Sequence, residues 1–403
     1  MLDVPPRGDR STWAAIVGAA EYPARRTSEP LSTSSLEDAA DLALVALRDA
    51  GLSLKQVDGL LVGGVYTSEQ FLPATMAEYL GVKIAYGDAP DLGGAMSAGM
   101  IWRAAAAIER GLAQVVVCIT ASGYPPPSGQ ASSWRDFGAS SYLPGSPQAE
   151  FEIPYGHLGQ NVPYALVVQR YAHLHSYDPE ALARLVVQQR FNASHNPHAI
   201  FHGQPLTTCD VLASPMIAEP LRLLEIVRPV LGGAAVVLAT SDIARQSRNR
   251  PVLVAGYGEG ISHKSVHCTP DMLDPPLRTA AANAFAMAGK NAGEMDGVQI
   301  YDCYTIAVLL ALEAAGFAEC GKGLDLLATR DLTFAGDFPL NTNGGQLSFG
   351  QAGAAGGMTH VIEGYRQAAG LAGSRQIPNC TTMFVSGNGG IMSEQVALVL
   401  EGA

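Results

Sequence analysis

Residues 277–302 read LRTAAANAFAMAGKNAGEMDGVQIYD: an alanine-rich helical run closed by Gly289, an Asp-Gly turn, and an apolar strand. The same order occurs earlier, in LEDAADLALVALRDAG followed by LSLKQVDGLLVGG, residues 36–64. Each copy follows an apolar strand, WAAIVGAAEYP (13–23) in one case and PVLVAGYGEG (251–260) in the other. Gly18 and Gly256, Gly51 and Gly289, and Gly59 and Gly297 are each 238 residues apart. Three matches at one offset, in one element order, point to a duplicated α/β unit rather than to shared composition.

The match extends once insertions are allowed. DLGGAMSAGM (91–100) corresponds to NTNGGQLSFGQAGAAGG (341–357), both glycine turns before a helix. QVVVCITASG (114–123) corresponds to TTMFVSGNGG (381–390), a buried strand followed by a loop. Each half reads as a βαβ-type layer with right-handed crossovers between parallel strands. Between the halves, about Ser122 to Ser214, lie turn-rich stretches such as GYPPPSGQASSW and NASHNPHAIFHGQPLTT, with a helix from PYALVVQRYAHLHS embedded among them. Long loops on a rigid scaffold usually cover a site or contact a partner. PLRLLEIVRPVLGGAAVVLAT (220–240) then returns a buried strand to the first half. The organisation expected is an N-terminal half over 1–121, a loop domain over 122–214, a return strand within 215–250, and a C-terminal half over 251–403.

Composition narrows the function. A chain of 403 residues with 48% hydrophobic residues has ample core. The net charge of -12 argues against non-specific nucleic-acid binding, which needs a basic face. No apolar run approaches the ~20 residues of a membrane helix. The first residues lack a basic segment leading into an apolar signal core, so a cytoplasmic location is expected. Six cysteines without a CxxC pair fit a reduced protein rather than a disulfide scaffold or zinc module. The close histidine pairs 263/267, 173/175 and 195/198 have no third ligand in sequence, so no metal site is expected, and His360 lies too deep in its helix to rank as a site residue.

The segments AGLSLKQVDGLLVGG, PLRLLEIVRPVLGGAAVVL, VQIYDCYTIAVLLALEAAGF, PLNTNGGQLSFGQAGAAGG and SGNGG together resemble the thiolase superfamily over nearly the whole chain. The resemblance is closest to the thiolase-like lipid-transfer protein branch, which includes steroid side-chain aldolases and is related to sterol-carrier-protein-X thiolases. It implies an α/β thiolase fold: two βαβαβαββ-type halves in a five-layer αβαβα arrangement, with an inserted loop domain.

Working thiolases carry a nucleophilic cysteine at the first glycine turn and a histidine at the second. By helix register Gly94 stands at about the cysteine position, and Gln351 stands where the histidine is expected. No cysteine occurs before Cys118. A thiolate is the usual nucleophile of such a site, so ordinary thiolysis is not expected. Retro-aldol cleavage of a β-hydroxyacyl-CoA needs no covalent cysteine. It needs a proton-transfer group and donors aimed at a developing enolate.

YDCYT, residues 301–305, is the candidate for the first requirement. Where sterol-carrier-type thiolases resemble HDxFT, this chain has tyrosine, as do the aldolases of the branch. The resemblance implies that Tyr301 is an acid/base group and that Asp302 orients the strand end or a hydrogen-bond network. The alternative is a packed strand-end tyrosine, whose ordinary pKa of about 10 opposes a base role at neutral pH. Gln351 falls where the aldolases place a second tyrosine, and it can donate a hydrogen bond but not exchange a proton usefully. Gly93 and Gly94, with Asn388, Gly389 and Gly390, are candidates for lining an oxyanion pocket, against the plain reading of turn formers. Cys303 is a candidate contact residue, against the plain reading of a small buried cysteine.

Two functions stay open. One is an acyl-CoA carbon–carbon lyase acting on a steroid or other side chain, with coenzyme A entering as part of the substrate and no tightly bound cofactor. The resemblance implies a homodimer, and often a small partner with an OB-fold and zinc ribbon. The other is a noncatalytic subunit in a heteromer with a cysteine-bearing thiolase paralogue. An acyltransferase with an unusual nucleophile is disfavoured, because no Ser/Cys–His arrangement is visible.

Overall fold

The computed structural model describes residues 12–26, 35–64, 71–122, 145–157 and 159–403. Most of the proline-rich stretch after Ser122 lies outside the described residues.

The first half runs β1 (Ala15–Glu21), β2 (Arg25–Arg26), α1 (Ser35–Ala50), β3 (Gly59–Gly63), α2 (Leu72–Leu80), β4 (Tyr86–Asp88), α3 (Met96–Glu109) and β5 (Val115–Ser122). Next come α4 (Pro147–Phe151), α5 (Asn161–Leu174), α6 (Pro179–Ser194), α7 (Thr208–Ala213) and the short pair β6 (Met216–Ala218) and β7 (Leu221–Arg222). β8 (Val230–Ala239) returns to the first half, followed by α8 (Ser241–Ala244). The second half is β9 (Val252–Ile261), α9 (Leu277–Ala288), β10 (Gly297–Gln299), α10 (Thr305–Ala314), α11 (Gly323–Thr329), α12 (Gly345–Phe349), α13 (Gly356–Ala369), β11 (Thr382–Gly389) and β12 (Glu394–Gly402).

The strand order β4-β3-β5-β8-β1 in the first half is repeated as β10-β11-β12-β9 in the second. β3 and β5 pair in parallel, as do β10 and β11. β5–β8 and β8–β1 are antiparallel, as are β11–β12 and β12–β9. One strand departs from the repeat: the counterpart of β4 is reduced to a single parallel bridge between Val298 and Leu340. The two sets meet where Ala15 and Ile16 pair with Leu253 and Val252.

The offset of 238 has a steric cause. A Cβ at Gly18 would lie 2.6 Å from the Ala46 carbonyl and 2.7 Å from the Ala50 Cβ. At Gly256 it would overlap the Ala284 carbonyl and approach the Ala288 Cβ to 3.1 Å. Ala46/Ala284 and Ala50/Ala288 carry the same offset, so in each half a bare strand glycine lets an alanine-faced helix seat directly on the sheet. Gly51 (φ 74°) and Gly289 (φ 65°) end those helices in left-handed backbone.

α3 and α13 form the middle layer, packing with Ile16, Leu61, Val116, Val236, Val254, Met383 and Val396 from both halves of the sheet. The opposite sheet faces are covered by α1 in the first half and by α9 and α10 in the second. α10 is buried on every side, as its sequence TIAVLLALEA requires. The structure also corrects the register of the glycine turns. Gly93–Ala95 before α3 matches Gly353–Ala355 before α13, not Asn341 onward. Gly93 and Gly353 share a φ of 52°, and each turn leads into a 14-residue helix.

Candidate active site

The site assembles where three chain ends converge: the first turn of α3, the end of β10 and the end of β11. β10 is short, and its last residues are held by a side chain rather than by a strand. Asn341, in left-handed backbone at φ 49°, accepts from the Ile300 N–H at 2.8 Å and donates to the Ile300 carbonyl at 2.9 Å. It takes the place of the missing fifth strand, and Tyr301 emerges directly after it.

The Tyr301 phenol runs to Gly94. A Cβ at Gly94 would overlap the phenol oxygen and the Asn388 carbonyl. The hydroxyl therefore fills the volume that any side chain at 94 would need, beside the electropositive first turn of α3. Gln351 Nε2 donates to the phenol oxygen at 2.9 Å. The Gln351 backbone is pinned separately: its N–H donates to the Arg228 carbonyl, and its carbonyl accepts from Val230 N–H, both at 2.9 Å. Tyr301 is 3% exposed. Burial pushes its phenol above the ordinary tyrosine range, Cys303 and Asp302 add to that rise, and the Gln351 hydrogen bond opposes it. At neutral pH the phenol therefore keeps its proton.

Asp302 points away from the phenol and ties a second element in place. Its two carboxyl oxygens accept from the N–H groups of Gln346 at 2.7 Å and Leu347 at 3.0 Å, at the start of α12. A Cβ at Gly345 (φ 59°) would overlap the same carboxyl group, which explains the glycine. His360 completes this cluster. Its Nε2 is 3.0 Å from Asp302 Oδ1 and its Nδ1 is 3.1 Å from Gln299 Oε1, all fully buried. The helix register correction explains how: His360 lies one turn into α13, beneath the glycine turn, rather than remote from it.

On the far side of Tyr301 lies a polar network. Asn388 Nδ2 donates to Tyr164 Oη at 2.9 Å and approaches Cys303 Sγ at 3.4 Å. Cys303 Sγ donates to Tyr164 Oη at 3.4 Å, and Tyr164 Oη donates to the Gly390 carbonyl at 3.2 Å. Gln395 Nε2 donates to Asn388 Oδ1 at 2.8 Å. Tyr164 stacks on Tyr304 at 4.0 Å between ring centroids, and Tyr304 Oη donates to Asn161 Oδ1 at 2.8 Å. Burial pushes the Cys303 thiol up to about 12, so it is a hydrogen-bonding group and not a nucleophile at neutral pH.

All nine residues singled out from the sequence thus share one locality. Gly93 packs on Gly389 and Gly390 (a Cβ there would be 3.4 Å from Gly389 Cα and 3.5 Å from Gly390 N), and Gly94 packs on Tyr301. Asp302 lies behind the phenol, and Cys303 faces Tyr164. Sequence reading missed Tyr164, Asn341, Gln346 and His360. Asn341 and Gln346 stand in the quoted NTNGGQ run and could have been raised by it. Nothing in sequence ties Tyr164 to the motif 137 residues downstream.

Comparison with known proteins bears on this geometry. Residues 258–402 match the family described as thiolase C-terminal domain-like. The steroid side-chain-cleaving aldolase of Thermomonospora curvata is 30% identical over 397 residues, covering 95% of this chain and 96% of that protein. The 17-hydroxy-3-oxo-4-pregnene-20-carboxyl-CoA lyase of Mycobacterium tuberculosis is 31% identical over 379 residues, 90% of this chain and 93% of that one. The chain belongs to the thiolase superfamily. Its place there is among the thiolase-like lipid-transfer proteins and steroid side-chain-cleaving aldolases. The solved Ltp2-ChsH2(DUF35) aldolase superposes with a TM-score of 0.84 at 28% identity, covering 97% of this chain and 98% of that one. This kinship favours a carbon–carbon lyase and disfavours the noncatalytic subunit. Among the described residues no helix is long and apolar enough to cross a membrane.

Proposed function

We propose that this chain cleaves the Cα–Cβ bond of a β-hydroxyacyl-CoA by a retro-aldol reaction, with Tyr301 as the proton-transfer group and a steroid side chain as the acyl class. The observation that carries the reading is the buried phenol of Tyr301 lying in the space a residue-94 nucleophile would need.

A raised phenol pKa excludes a preformed tyrosinate base but not proton transfer. As the β-hydroxyl oxygen forms the new carbonyl, its proton passes to the phenol oxygen. The Cα–Cβ electron pair moves into the thioester as an enolate, and the phenol's own proton passes to Cα. A ketone or aldehyde and a shortened acyl-CoA leave, and Tyr301 ends neutral as it began. N–H groups of the glycine turn before α3, with Gly93, Gly94 and the Asn388–Gly390 loop close by, stabilise the enolate oxygen. Asp302 and His360 position α12 and the end of β10 rather than touching substrate. Asn388 and Cys303 hold Tyr164, on α5, against the site.

Coenzyme A enters as part of the substrate. We also propose that the chain works as a dimer or heteromer, with a small acyl-CoA-binding partner of the OB-fold and zinc-ribbon kind. The two-component name of the Ltp2-ChsH2(DUF35) aldolase supports that assembly.

The test is mass spectrometry of products from the purified chain, with any co-purifying partner, on a panel of β-hydroxyacyl-CoAs that includes steroid side chains. A carbonyl product and a shortened acyl-CoA are expected. Tyr301→Phe should lower kcat by about 10²–10⁴-fold at unchanged folding. Cleavage retained in Tyr301→Phe sinks the role of Tyr301. No cleavage of any panel member by the wild type sinks the lyase.

A further inference from the structure

The amide of Gln351 is used on one side only. Its Nε2 donates to Tyr301, while its Oε1 is buried and has no hydrogen-bond partner among the described residues. Gln351 as a whole is 6% exposed. Buried polar atoms are almost always satisfied, so an orphaned acceptor beside a reactive group marks the place of a missing donor.

The direction of the amide decides what that donor is. If the amide were reversed, its carbonyl would accept the Tyr301 O–H, and that proton would be engaged before any substrate arrived. For the phenol proton to remain available to Cα, the amide N–H must donate to Tyr301. The carbonyl is then committed to accepting from something else. Within the lyase reading, on which this inference rests, the group nearest the phenol at the start of the reaction is the substituent on Cβ.

We propose that Gln351 is a specificity residue: its carbonyl oxygen accepts a hydrogen bond from the β-hydroxyl of the substrate and so selects β-hydroxyacyl over β-ketoacyl thioesters. A β-keto oxygen would face the Gln351 carbonyl acceptor to acceptor. Relieving that contact requires reversing the amide, which gives up the hydrogen bond donated to Tyr301. The same side chain therefore holds the phenol in its donating state and reads whether Cβ carries O–H or C=O. A glutamine cannot exchange the proton, so the hydroxyl donates to Gln351 on binding and then turns its O–H to the Tyr301 phenol oxygen as the Cα–Cβ bond breaks.

The experiment uses paired CoA thioethers bearing a β-hydroxyl or a β-keto group, which bind but cannot undergo cleavage because they lack the thioester carbonyl. Dissociation constants are measured for the wild type, Gln351→Met and Gln351→Glu, with melting temperatures as the folding control. The Gln351 backbone bonds to Arg228 and Val230 do not involve the side chain, so both variants should fold. The wild type should prefer the hydroxy compound by about 10–100-fold, as a site with a buried acceptor does. Gln351→Met should bring the preference close to unity, and Gln351→Glu, which keeps an acceptor, should retain it. Equal binding of the two compounds by the wild type, or a preference unchanged in Gln351→Met, overturns the proposal. Failure of the lyase reading has a different signature: an intact hydroxyl preference with no cleavage of any β-hydroxyacyl-CoA.

Discussion

The two glycine turns that begin α3 and α13 are copies of one device, yet among the described residues they meet different groups, a phenol at the first and an amide at the second. Gly93 and Gly353 have the same φ, and the helices that follow have the same length. The first turn receives the Tyr301 phenol from the other half of the molecule. The second packs against the amide of Gln346, whose Oε1 would be overlapped by a Cβ at Gly356. Duplication supplied two electropositive helix starts; divergence of side chains set a phenol against one and an amide against the other. The lesson is that backbone symmetry places the site, and the asymmetry of a few side chains decides what it does.

The sharpest way to break this comparison is to put a side chain at the first turn. Gly94→Ala should displace the phenol and lower turnover by at least about 100-fold, the scale of losing one positioned proton-transfer group. The added methyl should also cost about 1–3 kcal/mol of stability, as overpacking a close contact does. Unchanged steady-state turnover and melting in Gly94→Ala would show that the phenol does not occupy the first turn.

The joint between the halves offers a second test. Glu21, at the end of β1, pairs with Arg366 on α13 and lies 3.4 Å from His198 Nδ1. Burial alone would raise its carboxyl, but Arg366 and His198 more than reverse that and hold it at about 2. A carboxyl depressed in the folded state contributes stability that is complete above the ordinary glutamate value. That stability is lost as pH falls through the interval down to about 2. Here it amounts to about 3 kcal/mol. Denaturant melts of Glu21→Gln and wild type should differ by that amount at pH 7 and converge near pH 2. A difference independent of pH would separate the joint from this ion pair.

The smallest effect belongs to Cys303. Iodoacetamide at pH 8 should label the exposed Cys209, Cys268 and Cys320 and spare buried Cys303, whose thiol is held up at about 12. Cys303→Ala should leave kcat within about threefold, on the ordinary scale of a lost weak hydrogen bond. A large loss of turnover, or early labelling of Cys303, would give the thiol a part in the reaction.

Much of the fold was legible because it is written in short-range rules. Gly18 and Gly256 read as a repeat since each must admit an alanine-faced helix, and Gly51 and Gly289 since each ends that helix in left-handed backbone. The missing nucleophile was legible too, because the absence of any cysteine before Cys118 is a fact of residue identity along the chain. The register of the second turn was not. Asn341 to Phe349 contains glycines that serve Asp302 and α12, and in sequence they imitate the turn that actually begins at Gly353.

The sequence by itself determined the duplication, the α/β class, the loss of a cysteine at the first turn and the candidacy of Tyr301 and Gln351. Those features depend on local periodicity, turn chemistry and residue identity. Only the tertiary structure decided that the phenol fills the space above Gly94, that Asp302 serves α12 with His360 behind it, and that Tyr164 closes the network from the inserted segment. Each of these is a contact between residues tens to hundreds of positions apart. Burial, which exists only once the halves have packed, raises the Tyr301 phenol, and the same packing brings the Gln351 amide to it.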